Sequence, residues 1–179
     1  MSRKLRIVGI DPSLTSTGIA THDKGTYVVR FGQRPTSATE DGWMHRRVLV
    51  LRAEIVRACA FADVVFIENF AFGAQQGREK LGYVGHSIRE TLGTLGVPHV
   101  DIPPKTLKLF ATGNGSAEKE EVKRAAVDFL GLDPSAKDDE ADALWLRELG
   151  RHLYGVSSRM PPTSHTDHLK KIEIPEIER

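Results

Sequence analysis

The chain has 179 residues, 40% hydrophobic and 27% charged, which suits one packed domain of an ordinary globular protein and excludes a fibrous or disordered one. Its longest apolar runs are four to five residues, too short to span a bilayer, and the basic start Met1-Ser2-Arg3-Lys4-Leu5-Arg6 lacks the apolar stretch of a signal peptide. A net charge of +1 leaves any nucleic-acid contact to a local basic patch, and the single cysteine, Cys59, excludes an internal disulfide and fits a reducing, cytoplasmic setting.

Residues 5–10 read as a buried strand that ends at Asp11. Pro12-Ser13-Leu14-Thr15 turns the chain into a second strand, 17–21, and Asp23-Lys24-Gly25 is a hairpin signal before a third, 27–31. These three make an antiparallel meander. After a polar loop, Val48, Leu51, Ile55 and Ala58 recur at three- and four-residue steps and predict an amphipathic helix over about 41–60. Cys59 lies in that pattern and reads as a small buried hydrophobe. The unbroken apolar run Val64-Val65-Phe66-Ile67 predicts a fourth strand, covered on both faces and ending at Glu68.

Residues 77–95 are helical yet carry Gly82, Gly85 and Gly93. A glycine costs a helix interior about 1 kcal/mol relative to alanine, so these point to close approach by another backbone. Residues 97–100 make a short fifth strand. Residues 118–130 form a helix with core face Val122, Ala125, Ala126, Phe129 and Leu130 and Ser116 as its cap, and the last helix runs over about 139–153. Prolines, polar residues and charges mix over 155–179, which reads as a poorly ordered tail to a domain of residues 1–154. The element order predicts an α/β fold: a mixed five-stranded sheet, three strands antiparallel and two parallel, with helices on both faces.

Four acids stand on the rims of these apolar elements. Asp11 and Glu68 end the first and fourth strands and reach one point if those strands are neighbours; Asp139 and Asp142 share a face of the last helix at i, i+3. Carboxylates usually lie out in solvent, so such placement points to a site for hard cations. Phosphodiester cleavage uses this arrangement: two divalent ions about 3.5–4 Å apart, held by carboxylates from separate elements, place positive charge on the attacking and leaving oxygens. Mg²⁺ suits it, and no His–Cys spacing for zinc is present. Lys105, Lys108, Lys119, Lys123 and Arg124 gather around Thr112-Gly113-Asn114-Gly115-Ser116, either as a solvated face or as a phosphate-binding surface. Phe70 and Phe72 follow Glu68, placed either to stack on an unpaired base or to pack in the core.

The chain resembles the RuvC family of Holliday-junction resolvases over about residues 5–153. The resemblance is carried by Val8-Gly9-Ile10-Asp11-Pro12-Ser13 with Thr17-Gly18, by Ile67-Glu68-Asn69-Phe70 and by Leu81-Gly82. Its most specific parts are Gly113-Asn114-Gly115-Ser116-Ala117-Glu118-Lys119 and Asp139-Glu140-Ala141-Asp142-Ala143-Leu144. It implies an RNase H-like fold, a homodimer, two Mg²⁺ ions per site with Mn²⁺ as substitute, and paired nicks in four-way junction DNA with water as nucleophile. It maps the catalytic acids onto Asp11, Glu68, Asp139 and Asp142. Important lysines fall on Lys105 and Lys119, with Lys108 a further DNA contact and Lys119 counted with the catalytic set. Phe70 and Phe72 both remain candidates for base stacking, and Glu140 is an extra acid beside the ligands. The family's partners extend to a branch-migration helicase. The alternatives are a relative acting on other branched DNA and a catalytically silent DNA-binding relative. A kinase of the actin type would need a longer chain and a second phosphate loop.

Overall fold

The computed structural model describes residues 4–32, 34, 36–69, 78–158 and 166–177. Strands β1 (Ile7–Asp11), β2 (Ser16–Thr21) and β3 (Gly25–Arg30) form the expected antiparallel meander. Strands β4 (Val64–Glu68) and β5 (His99–Ile102) join in parallel on the other side of β1, giving the order β3-β2-β1-β4-β5. The helices α1 (Glu40–Cys59) and α2 (Arg78–Leu95) cover one face. The other face carries α3 (Pro104–Thr112), α4 (Lys119–Ala125) with a π-helical continuation Ala126–Leu130, and α5 (Asp138–Leu153). Among the described residues no helix is long and apolar enough to cross a membrane.

Successive strand residues point to opposite faces, and the two central strands are sorted accordingly. Val8, Ile10, Val65 and Ile67 pack with Val48, Leu51, Ile55, Ile88 and Leu92 in the core beneath α1 and α2. Cys59 is buried there, and burial pushes its thiol up to about 12, as a packing residue should behave. Ile7, Val64 and Phe66 face the other way, into a core with Phe110, Trp145, Leu146 and Leu149. Trp145 donates its indole N–H to the Val122 carbonyl at 3.1 Å, so its polar edge is satisfied inside that core.

The helix α5 lies on β1 and β2 with its backbone almost against the sheet. A Cβ on Gly9 would overlap the Ala143 carbonyl oxygen and stand 2.6 Å from the Arg147 amide nitrogen. A Cβ on Gly18 would overlap the Asp139 carbonyl oxygen, and one on Gly150 would meet the Phe66 ring at 2.5 Å. These contacts leave no room for a side chain.

Four local features differ from the sequence reading. The fifth strand runs over His99–Ile102, two residues later than expected, because it takes its register from β4, with Val65 opposite His99. The helix α3 was not anticipated; Pro104 opens it, where a missing N–H is harmless, and Gly113 ends it in the left-handed region at φ 79°. The cap of α4 is Glu118 in a reciprocal box with Glu121, while the amide of Ser116 turns back to the Asn114 side chain at 2.9 Å. Within the segment read as a poorly ordered tail, a 3₁₀ turn at Asp167–Lys171 buries Leu169, and Ile172, Ile174 and Ile177 pack on the α5-side core. The Tyr154 hydroxyl donates to the Pro175 carbonyl at 2.8 Å and ties this segment to the end of α5.

Gly9→Ala is therefore expected to destabilise by several kcal/mol, on the scale of an overpacked core (about 1–3 kcal/mol or more). Gly93→Ala, on an exposed helix position with nothing within 4 Å, should instead stabilise by about 1 kcal/mol. Thermal melts of the two variants beside the wild type check both signs.

Candidate active site

Parallel pairing of β1 with β4 sets Ile10 opposite Ile67, so the next residues, Asp11 and Glu68, stand side by side at the strand ends. Because Ile7 and Phe66 face α5, the alternation sends Asp11 and Glu68 to that same face. The first turn of α5, held against Gly18, supplies Asp139 and Asp142. Ligand sites form in this position, outside the carboxyl ends of parallel strands. The four acids line an open cleft of about 440 Å³ with Lys108 from α3 and Lys119 from α4; Pro12, Ser13, Leu14, Asn69 and Leu81 complete its rim.

The cleft is electrostatically strained. Asp11 is only 6% exposed, and burial raises its pKa well above the usual carboxylate range, with the charges of Glu68, Asp142 and Asp139 adding to the effect. Burial also raises Glu68, against the opposing pull of Lys119 and Lys108. Asp142 is pushed up to about 7, first by burial and then by Glu68, with Lys119 opposing. Asp11 and Glu68 share a hydrogen bond, which requires a proton between them. The Ser16 hydroxyl donates to Oδ2 of Asp139. Among the described residues no three of these side chains are already gathered into a metal cluster: they face one cleft without closing on one point.

Asp11, Glu68, Asp139, Asp142, Lys108 and Lys119 thus line one cleft. Lys105 does not line it; its aliphatic stem lies over Gly115, where a Cβ would come within 2.8 Å of Cγ. Lys123 reaches Asp138 at 4.0 Å, and Arg124 is exposed. Phe70 and Phe72 fall outside the described residues. Glu140 is a helix cap: one of its oxygens accepts from the Lys137 amide at 3.0 Å and the other from the Thr26 hydroxyl at 3.2 Å. Ser16 went unnoticed in the sequence. Only the packing of α5 over β2 brings it to Asp139, and no local pattern carries that information.

No protein-family model matches the chain. A crossover junction endodeoxyribonuclease RuvC from Synechococcus sp. (strain CC9902) is 33% identical over 144 residues, covering 78% of this chain and 94% of that protein. One from Nitratidesulfovibrio vulgaris (strain DP4) is 32% identical over 152 residues, covering 80% and 89%. The solved structure of Thermus thermophilus RuvC superposes with a TM-score of 0.64 at 22% identity, over 87% of this chain and all of that one. The structure of the same protein in complex with Holliday junction substrate gives 0.64 at 21% identity. These last two likenesses establish the fold as RNase H-like.

The raised carboxyls have a consequence for stability. An acid whose pKa rises on folding makes the folded state hold a proton that the unfolded chain releases, so stability is lost as pH rises from about 4 through the raised value. With Asp142 at about 7 and Asp11 and Glu68 also raised, the metal-free protein should lose Tm steadily between acid and neutral pH. Asp142→Asn should flatten that fall and raise Tm at neutral pH. Melts in chelator across the range read the slope; a Tm that rises toward neutral pH in both proteins would contradict the shared burial of these acids.

Proposed function

The chain belongs to the RuvC family of crossover junction endodeoxyribonucleases, and we propose that it is a structure-selective DNA endonuclease that resolves four-way junctions by paired, metal-dependent nicks. The observation that carries this reading is the cleft where Asp11, Glu68, Asp139 and Asp142 face Lys108 and Lys119. The donor set fits a hard cation. It is all oxygen, and the pKa values of Asp11, Glu68 and Asp142 are raised first by burial, with neighbouring carboxylates adding to the rise at Asp11 and Asp142. These three acids with Asp139 would hold Mg²⁺, two ions per site, with Mn²⁺ as substitute. When bound, such ions supply positive charge to the attacking and leaving oxygens of phosphodiester hydrolysis by water.

The chain's own groups do the rest. Asp11 and Glu68 must release their shared proton before both can serve as anionic donors, so protons compete with the cation at acid pH. Ser16 holds one oxygen of Asp139 and so orients the carboxylate at the cleft wall. Lys119 lines the cleft and lowers the pKa of both Glu68 and Asp142, and from there its ammonium would meet a phosphate oxygen. Lys108 offers a second cation from α3.

Asp11→Asn should abolish cleavage of a synthetic four-way junction in Mg²⁺ while leaving junction binding largely intact, because it removes a donor and lessens repulsion of the DNA. Lys119→Ala should lower the rate without changing the fold. A gel assay with a four-way junction, a flap and a linear duplex reads both activity and selectivity. Near wild-type cutting by Asp11→Asn would overturn the assignment, and equal cutting of all three substrates would move it to a less selective nuclease.

We also propose that the active form is a homodimer joined through α2. A Cβ on Gly82 would meet nothing within 4 Å, and the neighbouring Tyr83 is 43% exposed, which leaves a face open to a second copy. A two-fold dimer presents two clefts to a two-fold junction. Gly82→Trp should shift the protein toward monomer in sedimentation and reduce paired nicking more than single nicking. A wild-type monomer that still nicks in pairs would rule this out.

A further inference from the structure

Beside the carboxylate cleft lies a second cavity, about 320 Å³ and open, lined by Leu14, Arg34, Glu40, Trp43, Met44, Arg47 and Lys80. The two adjoin. Leu14 lines both, and Leu81 on the cleft rim follows Lys80 on the cavity wall. Three cations meet a single carboxylate here. Lys80 pairs with Glu40, and Glu40 also feels Arg34, which leaves an excess of two positive charges in the lining (three minus one). Arg47 has no such match. Its guanidinium lies over the Phe31 ring, 4.8 Å from the centroid, with Nε and Nη2 buried and without a hydrogen-bond partner among the described residues.

Buried donors left unpaired on a permanent charge are costly, and solvation does not reach these two nitrogens. A phosphate in the cavity would bring the negative charge that the unmatched guanidinium and the surplus of cations lack, and the cation best suited to it is the guanidinium fork. Trp43 adds an aromatic surface of the kind on which bases and sugars stack. On the reading that the cleft cuts DNA, we infer that this cavity is a subsite for a backbone phosphate of the same strand, next to the scissile one, with Arg47 as its principal ligand. A strand leaving the carboxylates past Leu14 would place a neighbouring phosphodiester on Arg47, Arg34 and Lys80.

The test uses the full chain carrying Asp11→Asn, so that DNA stays uncut, with Arg47→Gln or Arg34→Ala added. Arg34 is exposed, so its replacement keeps the test valid should Arg47→Gln fold poorly. Each change should weaken binding of a four-way junction by roughly tenfold, the worth of a charge-assisted hydrogen bond. Each should also lower the slope of log affinity against log salt by about one, a readout that a merely structural arginine would not move. Neutral methylphosphonates flanking the cut site should weaken the parent but add nothing to Arg47→Gln. Unchanged affinity and slope in both variants would overturn the inference while leaving the nuclease reading intact. So would stabilisation of the parent by inorganic phosphate with no change in junction binding, since the cavity would then serve a free anion. A parent that binds no junction at all would overturn both readings together.

Discussion

The contact on which this structure depends is backbone against backbone: α5 seated on β1 and β2 at Gly9 and Gly18. A helix normally stands off a sheet by the thickness of two side-chain layers. Here hydrogen replaces the side chain on the sheet at two points, and the helix drops until its carbonyls meet the strands. The drop sets the depth of Asp139 and Asp142 relative to Asp11 and Glu68. Gly150 repeats the device near the far end, where the Phe66 ring and Ile7 fill the space against the helix. The acids are therefore positioned by rigid strand ends and a helix turn rather than by loops.

Such positioning concentrates like charge where water is scarce. Asp11 and Glu68 relieve it by sharing a proton, Asp139 by accepting from Ser16, and Lys108 and Lys119 by facing the group from α3 and α4. None of these removes the strain on Asp142. The protein thus keeps an unfavourable charge arrangement that the apolar cores on both sides of the sheet must outweigh, a trade between stability and function common at active sites.

Much of this was legible in the sequence because it rests on short-range pattern. Unbroken apolar runs marked β1 and β4 as central strands, and an acid directly after each run fixed where the rim would be. The i, i+3 spacing of Asp139 and Asp142 fixed their shared face. What was hidden depends on register and packing. β5 slid two residues because pairing with β4, and not its own composition, decides its limits. The helix α3 has only 9 residues, too few for a clear apolar period, and two prolines, Pro103 and Pro104, stand at its start. Glu140 reads in the sequence only as an extra acid beside the ligands, and its part as a cap depends on contacts with Lys137 and Thr26. The apolar residues of the terminal segment, Leu169, Ile172, Ile174 and Ile177, are separated by charges, so their common side appears only against α5 and its neighbours.

The seating of α5 also orders events in time. Its partners, β1 and β2, are the first strands made, while α5 itself is completed only at Leu153. Contacts across such a sequence separation are slow to form, and none of them exists on the ribosome before the last helix emerges. An interrupted chain carries Asp11, Glu68 and both cleft lysines, yet has no Asp139 or Asp142 to oppose them. On the proposed assignment of the four acids, a nascent fragment lacks half of the carboxylates, and the cleft is completed in one step, with the final helix, and not by degrees as the polypeptide grows.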